Sequence, residues 1–460
     1  MNLAFYFGLA GTLLIIIGLS IWSGTRAKRS QRNNMGVVAG VITGTLVGGS
    51  STIGTAQLAY QFGMSAWWYT LGAGIACLVL ALVYTRPLRR TGCATLVSII
   101  RAEYGPQVGL AVSILSSIGT FINIIPQLIS ATAIIAMVLP AMGLKTAIAV
   151  SVAFMILYVV FGGTKGAGIV GIVKTALIYI AMIASGMMVL QIVGGIPAFT
   201  QTVHQIQDPV CNNFFSLFSR GVGTDTGACL SLLLGVLTTQ TYAQAVLSGR
   251  TDRDGVGGAV ISAFLIPPIG IGGILVGLYM RANSALYMGV TAKTALTAFI
   301  TAHMPPLLAG IVLGALFIAV VGTGAGISLG IATTIANDML GSLVRRFGSA
   351  KLAKYMIVIV LAAAGILACG PLGDTILQFA FMSMGLRGAV VFVPLTCALW
   401  LPGRIPRKFI LAAVIAGPLM VLLFGLWNVL PFDPLFAGVL AAILIAAMVF
   451  FNQSKQVSVR

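Results

Sequence analysis

An all-α polytopic membrane protein with about 13 transmembrane helices is the fold class this sequence predicts. Three observations predict it. Of 460 residues, 59% are apolar and 7% are charged. Apolar runs of membrane length recur from end to end, with no polar stretch long enough for a separate soluble domain. Lysine and arginine also fall very unevenly between alternate loops.

The apolar runs place helices near residues 3–23, 36–57, 66–85, 108–139, 146–161, 167–193 and 227–248, then 257–280, 305–337, 354–370, 375–400, 409–428 and 433–451. The first run is too long for a signal-peptide core and has no basic residue before it, so it reads as a retained helix. With these spans, Lys145, Arg220, Arg281 and Lys293 stand alone on one side, Lys174 and Arg387 lie within spans, and the other twenty of the 26 lysines and arginines fall on the opposite side. Basic loops stay cytoplasmic, which predicts an external N-terminus, a cytoplasmic C-terminus and a multi-pass protein of the cell inner (plasma) membrane. The same bias accounts for the net charge of +18 without a nucleic-acid partner. Lys174, near the inner end of its helix, is expected to snorkel to the cytoplasmic interface. Residues 194–225 form the longest external loop, read either as a connector or as a carrier of a short lid helix. Residues 282–303 show amphipathic helical spacing.

The eight acidic residues lie in loops or near helix ends, which argues against a buried carboxylate proton relay. No nucleotide-binding loop or catalytic cluster occurs, so ATP-driven pumping and enzyme activity are not expected, and neither is a cofactor. Six scattered cysteines give neither metal-ligand spacing nor a disulfide framework.

Candidate chemistry sits in interrupted helices. Residues 43–63 read TGTLVGGSSTIGTAQLAYQFG, where glycine eases departure from helical dihedrals and Ser50, Ser51 and Thr52 offer hydroxyls. Either close helix packing or a discontinuous helix that holds a solute or ion fits this stretch. Residues 319–340 carry Thr323, Ser328, Thr333 and Thr334 among glycines, and admit the same two readings. Thr238 to Gln244 place amides and hydroxyls within a span, as do Asn123 and Gln127 beside Pro126. Interhelical bonding and a site role both remain open for them.

In this order and spacing, these stretches resemble the sodium:solute symporter family over nearly the whole chain. The residues that carry the resemblance are GGSSTIGTAQLAYQFGMS at 48–65, Thr95-Leu96, Glu103-Tyr104-Gly105, Gly162-Gly163, Gln240 through Arg250, and Gly322-Thr323 followed by Asp338. The resemblance implies an inverted repeat of five helices each, at 36–193 and 227–400, with an additional helix at 1–25 and two accessory helices at 405–451. It implies a sodium ion as coupling ion, held by the carbonyls of Gly44, Val47 and Ala319 and the hydroxyl of Thr323. It also implies a small polar organic solute beside Ser50, Ser51, Gln127, Gln240 and Phe381.

Three departures point to a weaker cation site. Gly322 replaces a second hydroxyl, acidic residues common near Leu46 and Gly171 are missing, and Lys174 stands where glutamine is common. The expected function is secondary active import of a small polar solute with sodium by alternating access. Proton-coupled or uncoupled transport on the same fold is one alternative, and a transporter-like sensor or assembly subunit is another. Without a buried carboxylate to pair a cation, the solute is expected to be neutral, zwitterionic or anionic.

Overall fold

The computed structural model describes residues 2–26, 33–162, 167–206, 208, 211, 213–335, 349–370, 376–427 and 432–457. Asp338, Gly163 and Asn212 lie outside them. The main helices are α1 (Leu3–Arg26), α2 (Met35–Leu46), α3 (Thr55–Phe62), α4 (Trp68–Val79), α5 (Pro106–Ile122), α6 (Ile124–Val138), α7 (Leu144–Gly162), α8 (Ala167–Val193) and α9 (Val222–Thr238). They continue with α10 (Gln240–Leu247), α11 (Asp252–Leu265), α12 (Pro267–Ala282), α13 (Pro306–Thr334), α14 (Ser349–Ala368), α15 (Ile376–Trp400), α16 (Arg407–Trp427) and α17 (Pro434–Val457). Each apolar run read from the sequence contains one or two of these. Among the described residues seven helical stretches are long and apolar enough to cross a membrane, or eight if the bent pair α9–α10 is one span. Short helices also form at Ile196–His204 and Ala295–His303, in the loops where the sequence allowed them.

Polar residues fix where helices begin. The Asn34 side chain accepts from the Val37 N–H, and Thr95 and Thr251 form reciprocal capping boxes with Ser98 and Asp254. Pro106, Pro267 and Pro306 sit at first helical positions, where no backbone donor is needed.

Small residues set how closely the helices cross. α2 packs on α8 and α11, α3 on α12, α4 on α9, α13 on α1, and α15 on both α5 and α9. At the α2–α8 crossing, a Cβ on Gly171 would lie 2.2 Å from the Gly40 carbonyl oxygen, and one on Gly44 would lie 2.4 Å from Gly171 Cα. Such backbone-to-backbone approach is the usual packing device of membrane helices. It brings the next turn of α8, with Lys174, against the end of α2.

The connecting segments meet at two ends of the bundle. At one, Arg89 donates to the carbonyls of Val246, Leu247 and Gly249 and pairs with Asp252, while Asn33 bridges Gly249. At the other, Arg220 pairs with the fully buried Asp225 at 2.6 Å, Ser65 donates to Asp225, and Arg281 pairs with Asp208. The first end gathers basic loops and the second carries few.

The α2–α8 crossing leads to a stability prediction. Gly171→Leu forces the two backbones apart, a strain of about 1–3 kcal/mol. Thermal unfolding of the purified protein in detergent should show a clear fall in Tm. An unchanged Tm would contradict the crossing.

Candidate functional site

Helix α2 stops at Leu46 because Val47 turns extended, with φ −86° and ψ 109°. The backbone freed there is satisfied locally. The Gly48 N–H donates to Ser51 Oγ (2.9 Å), and the Gly48 carbonyl accepts from the Ser51 and Thr52 hydroxyls (3.0 and 2.8 Å). The Gly49 N–H donates to Gln127 Oε1 (2.9 Å), and Gln127 Nε2 donates to Ser50 Oγ (3.3 Å). The chain then resumes through a π turn at Ser50–Gly54 into α3. Only glycine fits the break: a Cβ on Gly48 would lie 2.7 Å from Thr323 Oγ1, and one on Gly49 2.4 Å from Ser130.

The end of α2 is where the sequence most misleads. Lys174 does not snorkel. Its side chain is buried, and Nζ donates to the Gly44 carbonyl (2.6 Å) and to Thr323 Oγ1 (2.5 Å). Thr323 in turn donates to the Val47 carbonyl (3.4 Å). The reason is geometric. Gly171 lets α8 touch α2, and from one turn later the lysine stem reaches the freed oxygens more directly than it reaches water. The C-terminal end of α2 also carries partial negative charge, which favours a cation.

The second break lies between α9 and α10, which meet at 51° where Thr239 turns extended. A cavity of about 330 Å³ runs from the two breaks towards Gln244 and Thr334, lined by Thr45, Thr95, Thr120, Asn123, Thr239, Gln240, Thr323 and Arg387 among others. Gln240 Oε1 accepts from the Leu96 N–H (2.9 Å), whereas its Nε2, like Asn123 Oδ1, is buried without a partner among the described residues. Arg387 is 2% exposed. Its guanidinium donates to Thr239 Oγ1 (2.8 Å), the Ser383 carbonyl (3.2 Å) and the Met384 sulfur (2.8 Å), all uncharged groups.

The expected residues are therefore sorted by the geometry. Gly44, Val47 and Thr323 converge on one oxygen cluster. Ala319 is buried one turn before Thr323 inside the unbroken α13. Of the five expected solute contacts Gln240 lines the cavity. Ser50, Ser51 and Gln127 tie up the first break, and Phe381 packs against Tyr69 beneath the Arg220 guanidinium at the other end. A side chain on Gly322 would meet Tyr158 at 3.3 Å rather than the first broken helix. Arg387 was not among the expected contacts. Its signal was available, since it is one of two cations placed within apolar spans.

The model of the sodium:solute symporter family matches residues 30–417. The chain belongs to this family. Members are transporters rather than enzymes, and are multi-pass membrane proteins. Over 178 residues the chain is 29% identical to an uncharacterized symporter, YwcA, of Bacillus subtilis (strain 168), covering 36% of this chain and 34% of that protein. Over 291 residues it is 24% identical to high-affinity choline transporter 1 of Caenorhabditis elegans, covering 57% and 48%. The matches thus span from a third to half of those relatives' length. Among solved structures, a substrate-bound, outward-open Na+-coupled sialic acid symporter shares the fold at a TM-score of 0.76, with 16% identity over 97% of both chains. Inward-facing Mhp1 shares it at 0.60, with 13% identity over 93% of this chain and 92% of that one.

Both ends of the Gln127 amide are occupied, so its loss should act on stability first. Gln127→Ala strands the Gly49 N–H and should cost about 1–3 kcal/mol. A lower Tm is the expected result, and full stability with impaired uptake would instead make Gln127 a solute contact.

Proposed function

We propose that this member of the family is a secondary active transporter that carries a small organic anion through the cavity beside the two helix breaks. The buried guanidinium of Arg387 is the observation that carries this reading. Arginine stays charged in proteins, and a buried charge with no counter-charge is costly. Among the described residues no carboxylate lines the cavity, which supports a solute that brings the negative charge. A volume near the lower end of ligand pockets suits a small molecule. The free Gln240 Nε2 and Asn123 Oδ1 add one donor and one acceptor for its polar groups. The two relatives' solutes, sialic acid and choline, carry opposite charges, so the charge inside this cavity is the better guide.

Transport on this fold proceeds by alternating access, one bundle rocking against the other around a site near the midplane. The Arg220–Asp225–Ser65 cluster ties elements together at the end away from Gln244 and Thr334, which supports a cavity that faces one side. With the N-terminus outside and the C-terminus cytoplasmic, as the loop charges indicate, that side is the cytoplasm. Family membership and the sodium-coupled neighbour support sodium as the coupling ion, and import is the direction that an inward sodium gradient would drive.

Uptake of a radiolabelled solute panel into proteoliposomes tests the reading. Carboxylates should be taken up and their size-matched primary amides should not. Arg387→Gln should weaken carboxylate transport roughly tenfold to a hundredfold, the loss of a charge-assisted bond of about 1.5–3 kcal/mol. Equal uptake of acid and amide by the parent would defeat the anion assignment. No uptake of any solute would favour a sensor on a transporter fold.

A further inference from the structure

We infer that the ammonium of Lys174 is a built-in cation that takes the place of sodium at the end of α2. The inference rests on the transporter reading only for its consequence, since the substitution itself is a property of the folded protein.

The oxygens at this position form an acceptor cluster that needs positive charge. The Gly44 carbonyl is released by the helix break, the Val47 carbonyl lies just beyond it, and Thr323 Oγ1 faces both from α13. The negative end of the α2 dipole points into the same place. No carboxylate is bonded there among the described residues. A monovalent cation suits such a set, and the residues would fit sodium were the position open. It is not open. Lys174 Nζ lies 2.6 Å from one of the expected sodium ligands and 2.5 Å from another, with its stem enclosed between α2, α8 and α13.

A sodium ion on the same two oxygens would face a like charge at contact distance in a buried site, where the repulsion is strong. The two cations therefore exclude each other. The ammonium also does structurally what an ion would do, because it joins the broken helix to α13. It does so at the entropic advantage of a group already attached to the chain. The consequence for transport is that the link between α2 and α13 no longer depends on sodium outside. Any sodium requirement of the parent protein must then come from another position.

Sodium-specific thermal stabilisation provides the test, measured on purified protein in detergent with choline replacing sodium at constant ionic strength. A ligand that binds only the folded state raises Tm, the more so the further its concentration exceeds its Kd. Four proteins are compared: the parent, Thr323→Ala, Lys174→Met, and the double variant. Lys174→Met keeps much of the apolar stem but removes the charge. It should gain a sodium-specific rise in Tm that the parent lacks, and adding Thr323→Ala should abolish the gain.

In proteoliposomes the ratio of uptake in sodium to uptake in choline should be larger for Lys174→Met than for the parent. The inference is overturned if Lys174→Met responds to sodium no more than the parent does. It is equally overturned if the parent already shows a sodium-specific shift that Thr323→Ala removes. Should Lys174 variants fail to fold, the parent and Thr323→Ala decide alone: no sodium-specific shift lost on removing the hydroxyl supports the built-in cation. A complete lack of solute uptake leaves the thermal result readable, and counts against the transporter reading instead.

Discussion

Backbone that leaves helical geometry at membrane depth must find partners inside the protein, and the arrangement at both breaks follows from that constraint. At Val47 to Gly49 each donor or acceptor described is met by a specific group: Ser51 and Thr52 for Gly48, Gln127 for Gly49, Thr323 for Val47 and Lys174 for Gly44. These partners come from α3's own entry turn, α6, α8 and α13. The break is therefore a junction of four elements, and it holds only because Gly44, Gly48, Gly49 and Gly171 let them close to contact. The second break is served differently, by hydroxyls of Thr238 and Thr239 bonding back to their own helix and by Arg387 from α15.

Among the described residues two cations are buried in the bundle, Lys174 and Arg387, and they differ in their access to the cavity. Lys174 meets a released carbonyl at a helix C-terminus, where the local field already favours positive charge. Its charge is thus answered by the protein. Arg387 meets a hydroxyl, a helical carbonyl and a thioether, none of which neutralises it, and it borders a cavity that a solute can enter. On the proposed reading Lys174 serves as structure, and Arg387 is left for a ligand. The same contrast separates the two amides: Gln127 is bonded at both ends, whereas Gln240 keeps a buried free donor.

The helices were legible in the sequence because they depend on apolar length; clustered glycine and hydroxyl residues at 43–63 admitted a break without deciding it, and nothing local marked the one at Thr239. The convergence of Gly44, Val47 and Thr323 was legible only through resemblance, since nothing local says that residues 276 apart share a bond. Lys174 was misread for a physical reason. Snorkelling assumes that water is the nearest place for an ammonium, and that fails once Gly171 brings a helix terminus within reach of the side chain. The surroundings of Phe381 were equally hidden from local sequence. Its ring faces the Arg220 guanidinium and Tyr69, a matter of where the first turns of α15 dock rather than of anything in the residues around it.

Phe381 and Arg387 lie on the same helix, and their distribution along it bears on how the protein cycles. At the Phe381 end α15 is locked by the cation–π contact to Arg220, itself held by Asp225 and Ser65. At the Arg387 end α15 borders the cavity. Opening the closed end requires separating Arg220 and Asp225, of which the aspartate is fully buried, and water must replace the lost partners as they part. On the proposed reading, an anion that pairs with Arg387 would neutralise its charge and so lower the cost of enclosing the cavity from both sides. The proposed transport would thus couple solute charge and closure through one helix, the free energy shared between a site and a distant contact that alternating access needs.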